Sequence, residues 1–305
     1  KKANCRLVNS IPKEVTILDE ANLTFLPKSI KNPVEVENER IAHIKDGVAL
    51  TKFICWLKKN VGKITMTELS AGEKLYSFRA QQENFIDNSF DPIISYGIHA
   101  AINHYSATPE TDIAIEPGNF LLADTGGHYY EGTTDTTRTI VMGSVNDEQK
   151  KYFTAVLRGM LNLGNAKFRY GCTGVNLDYL ARGPLWEMGQ DFNHGTGHGV
   201  GYLLNVHEGP NSFRWRIIQG DNAVLEEGMI TSDEPGYYAE NQYGIRHENL
   251  LVCKKAEKTS FGQFMCFEHL TMVPFDLDAV VRVASFSHSF SSSSRYGEIF
   301  LYTCA

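Results

Sequence analysis

The stretch Phe120-Leu-Leu-Ala-Asp124-Thr-Gly-Gly-His-Tyr-Tyr-Glu-Gly132-Thr-Thr-Asp135-Thr-Thr-Arg138-Thr139 decides how the chain is read. An apolar run ends in Asp124, a Gly-rich segment follows, and a Thr-rich run returns through Asp135. This pattern predicts strand over residues 119–142, turning back in the region 126–132. In a hairpin centred near Tyr129 and Tyr130 the two aspartates lie roughly opposite one another, so their carboxylates can share a face. Either aspartate alone reads as an ordinary turn residue. Together, with the basic Arg138 in the returning run, they read as a ligand pair.

Three later segments carry the same kind of residue. His194-Gly-Thr-Gly-His198-Gly-Val-Gly201 is too Gly-rich for a helix. Read as extended chain, it puts residues 194, 196 and 198 on one side. Glu234 stands at a strand end before Pro235-Gly236, and Glu248 follows Gly244-Ile-Arg246-His. Arg246 and Glu248, two apart on one strand face, suggest an arginine clamp on a ligand carboxylate. Asp124, Asp135, His198, Glu234 and Glu248 form an oxygen-rich set that suits hard or borderline divalent ions, Mn²⁺ first, and disfavours a thiolate-type zinc site. Four carboxylates cannot ionise side by side without cations between them. Two ions about 3.5–4 Å apart would neutralise them and hold a bridging water as nucleophile.

Composition sets the outer bounds. The chain has 305 residues, 42% apolar and 11% aromatic, enough for a sizeable core in one large or two ordinary domains. Its formal charge of −7 argues against a nucleic-acid partner. Two divalent ions add four positive charges and bring it to −3, so part of the acidity belongs to the site. Cys5, Cys55, Cys172, Cys253, Cys266 and Cys304 show no metal-binding spacing. They read as buried or incidental thiols of a reducing, cytoplasmic compartment. No apolar run is long enough to suggest a membrane span.

Periodicity gives the elements. Residues 1–33, with the strand-like Val15-Thr-Ile-Leu, read as the remnant of a preceding domain. A helix is expected from Glu35 to about Lys59, with Ile41, Ile44 and Val48 as its apolar stripe. Thr65-Met-Thr-Glu68 reads as a capping box for a second helix carrying Leu69, Leu75 and Phe78. Residues 91–105 read as strand. The order then repeats: a helix from Asn146 with Phe153, Val156, Leu157 and Met160, another from Thr173 or Gly174 with Leu177, Leu180 and Leu185, and strands near 198–208, 229–234 and 244–253. Residues 285–294 hold seven serines, and 279–305 read as an atypical tail, divergent or shifted in frame.

Asp124–Thr139, His194–Pro210 and Thr231–Asn249, in this order, resemble the signatures of the pita-bread metallopeptidases, above all the Xaa-Pro aminopeptidases. The resemblance runs from about Asn32 to Leu277. It implies an α+β pita-bread fold, with two pseudo-symmetric helix-helix-strand halves around a curved, mostly antiparallel sheet, over residues 34–278. It further implies a dinuclear site for two divalent ions, most simply Mn²⁺ with Zn²⁺ or Co²⁺ as alternatives, held by the five residues above. Glu234 would be ligand and general base, His207 the proton shuttle, and His104 a catalytic group beside the scissile bond. His104, His194, His207 and Tyr238 would bind substrate, and Arg246 would support the ligands. The implied reaction releases the residue before an N-terminal Xaa-Pro bond, and the implied assembly is a homodimer. A prolidase is the near alternative. A catalytically impaired module that only binds is the distant one, because such modules lose ligands that are intact here.

Overall fold

The computed structural model describes residues 4–18 and 22–281. Asn32 caps the helix Pro33–Asn60: its side chain accepts from the Val34 and Glu35 amides, and Glu35 reaches back to the Asn32 amide. The buried face of this helix differs from the expected one. Ile41, Ile44 and Val48 are 37%, 57% and 43% exposed, whereas Leu50, Phe53 and Leu57 are fully buried beside Glu39, His43 and Asp46. Pairing of the charged groups explains the choice. Asp46 meets Arg79 at 2.7 Å and accepts from the Tyr129 hydroxyl at 3.0 Å, and Glu39 accepts from the Thr133 amide at 3.1 Å.

The second helix, Glu68–Arg79, is capped by Thr67 with Ser70, two residues later than the expected box. Glu68 is not part of the cap because its carboxylate accepts from the Tyr96 amide at 2.7 Å and meets His99 at 3.0 Å. Behind these helices strands Ile93–Tyr96, Asn119–Thr125 and Thr136–Met142 form an antiparallel sheet with 119–125 in the centre. The hairpin tip lies where the Gly-rich segment predicts it, with Tyr129 paired to Gly132. Strand stops at Tyr96 instead of continuing to 105, because Gly97 takes φ +56° and opens a 3-10 turn over Gly97–Ala101.

The second half repeats the order. Asn146 and Gln149 form the cap of the helix Asp147–Gly164, which buries Phe153, Val156, Leu157 and Met160. Thr173 caps Gly174–Leu177, and Tyr179–Trp186 follows. Strands Ile230–Asp233, Asn249–Thr259, Gly262–His269 and Lys167–Arg169 form a four-stranded antiparallel sheet in that order. The strand expected over 198–208 is reduced to Gly197–His198, paired with Ser212–Phe213. Beyond it the backbone loops back, with Leu203 and Asn205 at φ +63° and +53°.

The two halves meet along the Thr-rich strand. The Glu248 amide donates to the Thr137 carbonyl at 3.1 Å. Thr139 Oγ1 accepts from the Arg246 amide at 3.0 Å and donates to the Arg246 carbonyl at 2.9 Å. Ahead of both halves, Val15-Thr-Ile-Leu forms no strand and is exposed. The helix Phe25–Ser29 packs beside the 207–210 loop: Lys28 meets Glu208 at 2.6 Å, and the Lys31 amide donates to the Gly228 carbonyl at 3.0 Å. Of the serine-rich tail, only residues 279–281 are described, and the serines lie outside the described residues.

Candidate metal centre

Asp124 is the penultimate residue of the central strand and stands opposite Thr137, not Asp135. Asp135 precedes the returning strand by one residue, so the two aspartates converge diagonally. His198 ends its short strand, Glu234 follows the strand Ile230–Asp233, and Glu248 sits in the two-residue break between strands ending at Arg246 and starting at Asn249. Each ligand candidate thus stands at a strand end, where the ladder releases the backbone and the side chain turns inward.

Asp135, His198 and Glu248 bring ligand atoms within 4.8 Å of one another. His198 Nε2 lies 3.5 Å from Asp135 Oδ2 and 3.4 Å from Glu234 Oε1. Its Nδ1 is 2.9 Å from the Gly199 carbonyl, which fixes Nδ1 as the N–H and leaves Nε2 to face the carboxylates. Glu234 is also held by the Ser232 hydroxyl at 2.9 Å, and Glu248 by the Thr137 hydroxyl at 2.7 Å. Asp124 Oδ1 is buried with no hydrogen-bond partner among the described residues.

The electrostatics match a cation. Burial, then the neighbouring carboxylates, drive Glu248 well above its usual range and raise Asp135. Burial pushes Glu234 up to about 7 against the opposing pull of His198. Burial alone would lower His198, but Asp135 and Glu234 outweigh it and hold the ring up to about 9. The protein by itself therefore favours a positive charge at Nε2, where a divalent ion would sit. The donor set of carboxylate oxygens and one imidazole, with an orphaned Asp124 oxygen, fits divalent ions.

Arg246 departs from the expected arrangement. It pairs with Asp124 Oδ2 at 2.5 Å rather than with Glu248. Its Nη1 donates to the Tyr238 hydroxyl at 2.8 Å, and its Nε donates to the Thr137 hydroxyl at 3.3 Å. Tyr238 in turn donates to His194 Nε2 at 2.8 Å. The reason is register: Gly236 pairs with Arg246 across the hairpin, which brings Tyr238 and Arg246 to one face. Burial, then Arg246, pushes His194 down to about 3, and partial desolvation followed by His198 pushes His207 down to about 4, so both rings are neutral at pH 7.

These groups line one cavity of about 450 Å³, which also takes in His104 and His207. Tyr238 stands behind its wall, reached through His194 and Arg246. Sequence reading missed Thr137, which bridges Glu248 and Arg246, and Ser232 beneath Glu234. It also missed Arg214 and Asp221 at the cavity wall. The Thr-rich context of Asp135 was the one signal for Thr137; Arg214 carried none.

The family model of metallopeptidase family M24 matches residues 37–255, and the chain belongs to that family. It has the pita-bread fold. The chain is 45% identical over 253 residues to a probable Xaa-Pro aminopeptidase P of Botryotinia fuckeliana, covering 81% of this chain and 38% of that protein. It is 39% identical over 305 residues to aminopeptidase P1 of Arabidopsis thaliana, covering 90% and 47%. Among solved structures it is similar to the X-prolyl aminopeptidase of Caenorhabditis elegans, described as a cytosolic enzyme with a di-nuclear active site. That match has a TM-score of 0.80 at 38% identity, covering 85% of this chain and 42% of that one. A prolidase from Pyrococcus furiosus matches with a TM-score of 0.66 at 29% identity, covering 82% and 67%. The chain spans less than half the length of these curated relatives. Among the described residues no helix is long and apolar enough to cross a membrane.

Proposed function

We propose that this chain is the catalytic portion of a Xaa-Pro aminopeptidase, which removes an N-terminal residue that precedes proline. The observation that carries the reading is the convergence of Asp135, His198 and Glu248 within 4.8 Å on a cavity that also holds Asp124, Glu234, His104 and His207. Residues 34–278 form the catalytic domain in this reading, residues 1–33 the end of a preceding domain and 279–305 a tail. In this reading the compartment is cytoplasmic, in keeping with the description of the similar worm enzyme as cytosolic, and the full-length protein would be a homodimer.

Asp124, Asp135, His198, Glu234 and Glu248 would hold two divalent ions, Mn²⁺ first. When bound, such ions would neutralise the carboxylates, polarise the scissile carbonyl and acidify a water at neutral pH. Glu234 would accept the proton of the attacking water on a carboxylate oxygen. Ser232 keeps the carboxylate aimed, since its hydroxyl donates to Oε1. His207, neutral at pH 7, carries one ring N–H that it gives to the prolyl nitrogen, and it takes back the proton that Glu234 collected. His104 contacts the peptide beside the scissile bond. His194 cannot swing freely: its Nε2 accepts from Tyr238 and its Nδ1 donates to the Gly195 carbonyl at 2.8 Å. It therefore presents a fixed ring wall, suited to a prolyl ring that brings no amide hydrogen.

Metal-stripped protein is assayed on Arg-Pro-Pro and on Gly-Pro, with and without Mn²⁺. Mn²⁺-dependent release of arginine from the tripeptide is expected. Cleavage of the dipeptide alone would make the chain a prolidase, and inactivity on both with two metals bound would leave a binding module.

A further inference from the structure

We propose that Lys28 and Lys31 are positioning residues that clamp the arch of residues 199–208 and so set the place of His207. The proposal rests on the aminopeptidase reading, in which His207 gives its proton to the leaving group. Among the described residues no hydrogen bond holds the His207 ring. It rests edge-on against His198, with ring centroids 4.1 Å apart. The ring therefore stands where the backbone of the arch puts it. That backbone is outlying: Leu204, Asn205 and His207 are exposed. It closes on itself, since the Gly201 amide donates to the Asn205 carbonyl at 3.0 Å and the Glu208 amide to the Gly199 carbonyl at 2.7 Å. Glycine at 199 permits this closure, because a Cβ there would stand 2.1 Å from the Glu208 carbonyl oxygen. Neither bond fixes the arch to the body of the protein.

The two lysines do that. Lys31 Nζ donates to the Val200 carbonyl at the leading foot of the arch. Lys28 Nζ meets Glu208 Oε2 at 2.6 Å at the trailing foot, one residue past His207. Asn205 Nδ2 donates to the same oxygen at 3.3 Å, so Glu208 also draws in the crown of the arch. The lysines stand three residues apart in one short segment, which is itself fastened to the second half. Ile30 bridges Met229, and the Lys31 amide donates to the Gly228 carbonyl at 3.0 Å. Met229 immediately precedes the strand Ile230–Asp233, which leads to Glu234. The clamp thus refers His207 to the same strand that presents the proposed base.

The two contacts differ in what their loss would do. Lys31 is buried and pins main-chain carbonyls, those of Val200 and Ser29. Its removal would loosen the foot next to the candidate ligand His198 and the segment itself. Lys28 is half-exposed, and its partner Glu208 is buried. Glu208 Oε1 has no hydrogen-bond partner among the described residues, so Oε2 and its lysine carry the anchorage. Removal of Lys28 would free the foot beside His207 and leave the candidate ligands in place. A misplacement of about 1 Å in a reacting group can cost on the order of 10²-fold in rate.

Hydrolysis of Arg-Pro-Pro by the Mn²⁺-loaded chain is followed in single turnover for the parent, Lys28→Met, Lys28→Arg and the double variant Lys28→Met/Glu208→Gln. Mn²⁺ affinity is measured by chelator competition, and hydrogen exchange of the arch amides by mass spectrometry. Lys28→Met should slow the chemical step by about tenfold, with substrate affinity within about twofold of the parent and Mn²⁺ affinity unchanged. That split is the one expected when only the transition state loses a contact. Lys28→Arg should recover most of the rate. The double variant removes the stranded carboxylate charge, so it should regain thermal stability without regaining rate. Exchange in the arch should quicken in both methionine variants. The proposal is overturned by a parent rate in Lys28→Met, by a loss carried through weaker substrate or Mn²⁺ binding, by an arginine variant no better than methionine, or by a rate restored in the double variant. If the parent itself cleaves no peptide, the aminopeptidase reading fails and the clamp is judged by exchange alone: an arch no faster in Lys28→Met overturns it as well.

Discussion

Arg138 offers the sharpest quantitative test of how the two halves hold the ligands. Its guanidinium is buried and, among the described residues, faces no carboxylate within ion-pair distance. All five N–H groups are used on neutral acceptors: the carbonyls of Pro274 at 3.3 Å, Thr137 at 2.9 Å, Glu248 at 2.6 Å and Val273 at 2.7 Å, and Asn249 Oδ1 at 2.8 Å. The Phe275 ring lies 4.0 Å from its central carbon. Burial lowers its pKa to about 9, which leaves it protonated at pH 7. Lysine at this position keeps the charge but offers three N–H groups from one point, so at least two acceptors lose their donor. A buried acceptor left unsatisfied costs about 1–3 kcal/mol. Arg138→Lys should therefore destabilise by about 3 kcal/mol and Arg138→Met, which strands four acceptors because the Thr137 carbonyl keeps the Glu248 amide, by about 5 kcal/mol. For a domain of this size the lysine variant should melt about 6–12 °C lower.

The same variant should weaken metal binding. Two of the acceptors are the backbone carbonyls of Glu248, a ligand candidate, and of Thr137, whose hydroxyl donates to the Glu248 carboxylate. Loss of such support lowers metal affinity by about 10- to 100-fold in known sites. Urea unfolding of metal-free protein gives the first quantity, and competitive Mn²⁺ titration against a chelator gives the second. A lysine variant within about 0.5 kcal/mol of the parent would mean that water serves those carbonyls. Full destabilisation with unchanged Mn²⁺ affinity would mean that Arg138 joins the halves without orienting the ligand.

Three further outcomes follow from the geometry. Glu234→Gln removes the proposed proton acceptor and should lower kcat by at least about 10²-fold; residual turnover above a tenth of the parent would refute that role. Mn²⁺ at about 100 times its Kd should stabilise the chain by about 2.7 kcal/mol, reversed by chelator; differential scanning with no shift would mean that the five residues do not form a metal site. Glu39 is raised to about 8 by burial, against a model-peptide value of 4.5. The folded state thus holds its proton where the unfolded state releases it, so this contribution falls as pH rises from about 4.5 to about 8. Glu39→Gln, which keeps an acceptor for the Thr133 amide, should gain on the parent by on the order of 3 kcal/mol between pH 5 and pH 8. A difference independent of pH would show that Glu39 is ionised in the folded protein.

The candidate ligands were picked out in sequence because each is announced locally. Asp124 ends an apolar run, Asp135 and His198 stand among Thr and Gly, Glu234 precedes Pro-Gly, and Glu248 follows Gly-Ile-Arg-His. Their supports were not legible, because support is long-range. Nothing near Arg246 in the chain says that its partner is Asp124, 122 residues away, rather than Glu248 two residues on. The long helix shows the same limit in another form. Apolar residues occur all around Pro33–Asn60, so a stripe through Ile41, Ile44 and Val48 was as readable as the true one. The buried face was chosen by partners elsewhere: Arg79, Tyr129 and the Thr133 amide, which take up Asp46 and Glu39. The strand misread over 198–208 failed for a local reason that glycine concealed, since Leu203 and Asn205 adopt the left-handed conformation and turn the chain back.

The Thr-rich run shows why one short segment is so informative. Side chains alternate along a strand. Asp135 and Thr137 stand on the cavity side, where Thr137 donates to Glu248, and Thr139 continues that side to close on the Arg246 backbone in both directions. Arg138, between them, points the other way and gathers carbonyls from Val273 and Pro274 as well as Glu248. One face of the strand therefore supplies a candidate ligand and then the seam to the second half; the other anchors that seam from behind. His198, Glu234 and Glu248 all come from the second half, Asp124 and Asp135 from the first, so a site between them exists only while the seam keeps its register. A shift of one residue would turn Thr137 and Thr139 away and bring Arg138 to face the candidate ligands. The alternation of small hydroxyls with one arginine is thus a register lock for the candidate metal centre, which accounts for its weight in the reading of the whole chain.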